Sequence, residues 1–163
     1  MSLFALVTWI MTAGGGLYLL SIWLIEYDKD FQAVAATRLP PPVLAAHVML
    51  AGGSLLLWIY YLFFDDDDIA WVSAIGLTLA AVLGLVMAIR WVSVYRAKRA
   101  SVRLDRLAEI RQHGGVAVLD RPVLVVEGPP ERNFPLPVVI AHGAFAAATL
   151  TLVLLAAFGV GGS

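Results

Sequence analysis

No cysteine occurs among the 163 residues. That excludes disulfides, thiolate catalysis, cysteine-held iron–sulfur clusters and covalently attached c-type haem. Charge is scarce as well: Asp, Glu, Lys and Arg make up 14% of the chain, against 61% hydrophobic residues and a mean hydropathy of +0.86. So little polar surface cannot cover a water-soluble globule of this length, and the composition points to an integral membrane protein. Lys and Arg are absent from residues 1–28, 39–89 and 133–163. No phosphate-binding loop, no nucleophile beside a base and no pair of intramembrane carboxylates occurs, which argues against catalysis by side chains alone.

Four nearly uncharged segments are present: Leu3 to Ile25, Val43 to Phe64, Ile69 to Ile89 and Val138 to Val160. Each is long enough, at roughly 20 or more residues, to cross a bilayer as a helix. The first has no basic n-region and reads as a retained span rather than a cleaved signal. The expected fold is therefore an all-α four-helix membrane bundle. All the basic residues, from Lys29 and Arg38 through Arg90 to Arg132, fall on one side of these spans, which marks that side as cytoplasmic in a plasma (inner) membrane and puts both termini outside. Trp23 and Trp91 at the inner ends, with Trp58 and Trp71 at the outer ends, are placed as headgroup-level aromatics. Asp65 to Asp68 form a solvated acidic link. The 97–134 stretch reads as a cytoplasmic insertion: a short amphipathic helix over Val102 to Gln112, then a β-hairpin of Val116 to Leu119 and Val123 to Val126.

The chain repeats itself. Residues 40–55 align with 135–150 at an offset of 95, with identities at Pro40, Pro42, Val43, Ala46, His47, Ala51 and Leu55 and at Pro135, Pro137, Val138, Ala141, His142, Ala146 and Leu150. A weaker match at an offset of 68 pairs Gly16, Leu17, Trp23 and Tyr27 with Gly84, Leu85, Trp91 and Tyr95. Two duplicated helical hairpins follow, related by a pseudo-twofold axis along the membrane normal. The axis sets His47 and His142 at one depth, each five residues past a proline suited to a helix start, about 8 Å in from the helix end. A helix N-terminus and low dielectric both disfavour imidazolium, and the neutral ring is the form that ligates metal.

Two imidazoles facing one another across such an axis suit the axial positions of one haem iron, so His47 and His142 are the candidate metal ligands. A macrocycle between helices needs small neighbours, and Ala51, Ala146, Gly16 and Gly84 supply them on the same faces. Arg38, Arg90 and Arg132 stand where haem propionates would emerge. Structural histidines on a duplicated scaffold, and small residues serving plain helix packing, are the competing readings. Met49 as an axial ligand reads instead as packing, His113 as a surface residue at a helix end, and the Arg96 to Arg106 cluster as topology and anionic-lipid attraction with no nucleic acid involved.

In this arrangement the chain resembles the four-helix membrane-anchored b-type cytochromes, in which histidines on two helices clasp haem. The resemblance rests on His47 and His142 and covers the four spans. It implies one haem b near the cytoplasmic leaflet, one-electron transfer, and association with quinone or a larger respiratory complex. Only two intramembrane histidines are present, so a two-haem wire is not available within the chain. The chain reads as an electron carrier or oxidoreductase subunit. The alternative from another class is a cofactor-free scaffold subunit of a membrane complex.

Overall fold

The structure, a computed structural model, describes residues 2–28, 37–113 and 129–160. Four α-helices, α1 (Ser2–Asp28), α2 (Pro41–Phe64), α3 (Asp67–His113) and α4 (Leu136–Ala157), account for nearly all of it, with a 3-10 turn at Pro130–Asn133. All four are long and apolar enough to cross a membrane. They are apolar around most of their circumference, as lipid-facing helices must be. No strand occurs among the described residues. The expected hairpin at 116–126 lies outside them.

Local chemistry sets the boundaries. Pro41 and Pro42 open α2, and Pro137 stands in the first turn of α4, where the missing N–H costs nothing. Asp65 ends α2 in the left-handed region, φ 53°, with its N–H on the Tyr61 carbonyl at 2.8 Å. Asp66 then caps α3: its Oδ1 accepts the N–H groups of Asp68 at 3.1 Å and Ile69 at 3.4 Å. Asp67 and Asp68 occupy the first turn, where negative charge suits the helix dipole. The acidic run is thus an exposed cap.

α3 corrects one expectation. The amphipathic stretch from Val102 is no separate helix but the continuation of α3, which runs unbroken to His113. Arg90 ends the apolar window, yet the Ala, Arg, Lys, Leu and Glu that follow are good helix formers, and the first glycine comes at Gly114.

α1 packs along α4 and α2 along α3, while α1 with α2 and α3 with α4 make the lesser contacts. The order around the bundle is therefore α1, α2, α3, α4, with α2 and α4 on a diagonal. A core fills the half of the bundle nearest Asp65 to Asp68: Ala5 and Trp9 of α1, Trp58 and Tyr61 of α2, Ala70, Ala74 and Leu77 of α3, and Val153 of α4. Here the structure departs from the aromatic-belt expectation. Trp58 is fully buried against Trp9 and Tyr61, and its indole N–H finds the Ser2 carbonyl at 3.3 Å. Trp23 and Trp91 are also buried. Each indole N–H reaches a protein acceptor, so none of the three needs the headgroup water.

Candidate functional site

The basic end of the bundle is closed by hydrogen bonds between the segments that lead into α2 and α4. Glu131 is fully buried; one carboxylate oxygen accepts the Arg38 N–H at 2.6 Å and the other the Thr37 hydroxyl at 3.1 Å. Trp91 donates to the Glu131 carbonyl at 3.1 Å, Trp23 to Thr37 Oγ1 at 3.5 Å, Arg90 Nε to the Arg38 carbonyl at 2.8 Å and Lys98 Nζ to the Arg132 carbonyl at 2.9 Å. Arg38, Arg90 and Arg132 are thereby gathered at one end, at the mouths of the two histidine-bearing helices.

His47 and His142 each lie six residues into their helices, about 9 Å from the start. From diagonal helices their rings approach to 6.4 Å between centroids, with planes crossed at 68°. Nδ1 of His47 bonds to the Ala80 carbonyl at 2.8 Å, and Nδ1 of His142 to the Thr12 carbonyl at 2.9 Å. A carbonyl only accepts, so each Nδ1 carries the proton and each Nε2 of a neutral ring presents its lone pair. Fixing one ring nitrogen on a backbone carbonyl so that the other can ligate is the usual support of a metal-bound histidine. Neither Nε2 has a hydrogen-bond partner among the described residues. No buried side-chain nitrogen there lacks one, so both Nε2 atoms are accessible.

The two halves match residue by residue. His47 and His142 differ by the offset of 95, and their acceptors, Thr12 and Ala80, by the offset of 68. A Cβ on Gly84 would meet Cε1 of His47 at 3.1 Å, and a Cβ on Gly16 would meet Cε1 of His142 at 3.0 Å. The absence of a side chain at these two glycines is what lets the rings lie against the neighbouring helix. Trp23 stacks on Tyr27 and Trp91 on Tyr95, at 4.4 and 5.1 Å. Ala51 and Ala146 follow their histidines by one turn and are half-buried, and Ser54 and Thr149 follow by two and are buried.

Packing marks the same layer. No residue is buried between Trp9 and Trp23 on α1, between Leu39 and Ser54 into α2, between Ala80 and Trp91 on α3, or between Glu131 and Thr149 into α4. A dry core lies on one side of this layer and the Glu131 cluster on the other. At the level of the imidazoles the side chains are half-buried or exposed.

Imidazole nitrogens bind metal ions at about 2.0–2.1 Å, and a five-membered ring with bonds of about 1.33 Å has a radius of roughly 1.1 Å. Two rings whose Nε2 atoms both met one ion from opposite sides would have centroids about 6.3 Å apart, and the observed centroid separation of 6.4 Å is of that size. No group of three or more His, Cys, Asp or Glu side chains placed to hold a metal ion occurs among the described residues. The donor set is two imidazoles, so further ligands would have to come with the metal.

Comparison with family models, with characterised proteins and with solved structures gives no match. The functional reading therefore rests on the geometry of this chain. The sequence pointed to the histidines, glycines, alanines and arginines. It gave no warning of the Thr12 and Ala80 carbonyls or of buried Glu131, although residues 12 and 80 stand at the same offset as Gly16 and Gly84.

Proposed function

We propose that the chain is a haem b electron-transfer subunit of the plasma membrane, built from two duplicated hairpins, in which His47 and His142 would hold the haem iron. The observation that carries this reading is the matched pair of rings: two half-buried imidazoles 6.4 Å apart, each with Nδ1–H on a carbonyl and Nε2 unpartnered. A porphyrin brings four equatorial nitrogens of its own, which suits a site that offers two donors. Haem b held there supplies reversible one-electron chemistry.

The residues of the chain divide the work. The Thr12 and Ala80 carbonyls hold the ring tautomer and orientation, and their pull on Nδ1–H makes each Nε2 a better donor. Gly16 and Gly84 let each ring lie against the neighbouring helix, and the small side chains of Ala51 and Ala146 suit a flat macrocycle one turn beyond the histidines. The dry core around Trp58 keeps water away on one side. Arg38, Arg90 and Arg132 offer cationic partners for propionates at the basic end. By the charge asymmetry, that end is cytoplasmic and both chain ends lie outside. A redox centre near one end does not bridge about 30 Å of hydrocarbon, so the subunit works with quinone or within a larger respiratory assembly.

The test is a visible spectrum of detergent-purified protein from cells supplied with haem. A reducible Soret and α-band pattern, lost in both His47→Ala and His142→Ala, is the expected result. A colourless wild-type protein from such cells would leave an accessory, cofactor-free role in a membrane complex.

A further inference from the structure

The most prominent feature unused by the histidine site is the part of α3 beyond Arg90. The helix has 47 residues, about 70 Å at 1.5 Å per residue, against a hydrocarbon core of about 30 Å. Arg96, Arg99, Arg103 and Arg106 recur at steps of three, four and three, which places them on one helix face. All four are exposed, and none forms an ion pair among the described residues. Arg99 lies over the Tyr95 ring at 5.0 Å. Trp91, Val94 and Lys98 form a different face, turned toward the 129–133 segment. At 3.6 residues per turn the arginine stripe is roughly a third of a turn away from it. Val102 and Leu107 flank the stripe, 49% and 54% exposed.

Anionic lipid accounts for only the first of these charges. α3 packs lengthwise in the bundle and continues past Arg90, so Arg103 and Arg106 lie about 20 and 24 Å farther along its axis. That exceeds two screening lengths of about 8 Å at physiological salt. The acidic run Asp65 to Asp68 does not supply the counter-charge either, because it is at the opposite end of the bundle, and no carboxylate among the described residues pairs with the stripe. We propose that this stripe is a docking surface for a water-soluble protein that presents an acidic face, its carboxylates meeting the four guanidinium groups and its apolar side chains meeting Val102 and Leu107. The proposal stands apart from the haem reading, since it uses no residue of the histidine site.

The test uses the full chain in zwitterionic-lipid nanodiscs and, as probe, a fluorescent helical peptide with Glu at steps of three, four and three. Saturable binding that weakens with salt is expected. Binding should fall on the order of tenfold in the Arg103→Glu/Arg106→Glu variant, which should instead take the matching Lys peptide. Equal binding of the Glu peptide by wild type and variant overturns the proposal. So does tighter binding of a short DNA duplex than of the peptide. Because the chain lacks cysteine, a spin label at Leu107→Cys reports the remaining alternative: immersion of the label in phosphatidylserine-containing nanodiscs would make the stripe a lipid contact.

Discussion

Adding one methyl group at Gly16 or Gly84 should weaken haem binding, while the same change at Gly14 should not. A Cβ at position 84 falls 3.1 Å from Cε1 of His47, and one at position 16 falls 3.0 Å from Cε1 of His142, where ordinary contacts begin at 3.4 Å. Each ring must therefore retreat by about 0.3–0.4 Å. It is not free to do so, because Nδ1–H is held on a carbonyl at 2.8 or 2.9 Å and such bonds fade beyond about 3.2 Å. Overpacking of this kind costs about 1–3 kcal/mol, which is roughly fivefold to 150-fold in affinity. Gly14 and Gly52 have nothing within 4 Å of an added Cβ and serve as controls. The assay is haem retained per chain after a fixed detergent wash, read by absorbance, for Gly16→Ala, Gly84→Ala, Gly14→Ala and Gly52→Ala. Equal retention by all four variants, or loss in the controls alone, would refute the placement of the rings against those two helices.

Other consequences follow from the packing and the charge pattern. Trp58→Ala removes a fully buried ring between Trp9 and Tyr61 and should lower stability by about 3 kcal/mol or more, read as an earlier thermal transition in detergent. Glu131→Ala leaves the Arg38 N–H and the Thr37 hydroxyl without their buried acceptor and should cost about 1–3 kcal/mol; Glu131→Gln, which keeps an acceptor oxygen, should recover part of that in the same melt. For orientation, a membrane-impermeant thiol reagent on intact cells should label Asp68→Cys and should reach Val102→Cys only after permeabilisation. The reverse pattern would invert the topology.

Hydropathy located the four spans because it reports lipid contact, and it misplaced the end of α3 for the same reason. The apolar window stops at Arg90, but nothing in the residues that follow stops a helix before Gly114. The histidine pair was legible because side chains repeat at a fixed offset. Their carbonyl partners were not, since a backbone oxygen leaves no mark in the amino-acid alphabet. Tryptophans at span ends resemble interfacial anchors, yet Trp23, Trp58 and Trp91 each find an acceptor inside the protein. Glu131, beside Pro129 and Pro130, carries no mark of burial in the sequence. Only the meeting of two segments 94 residues apart makes it a buried tie.

Titration of haem-free protein with ferric haem tests the central claim most directly. The account predicts a break at one haem per chain, a low-spin six-coordinate spectrum, and a low-spin electron paramagnetic signal with the wide anisotropy of strongly crossed imidazole planes. His47→Ala and His142→Ala should each abolish the six-coordinate form. A titration without a break, or a low-spin spectrum that survives either substitution, would contradict it.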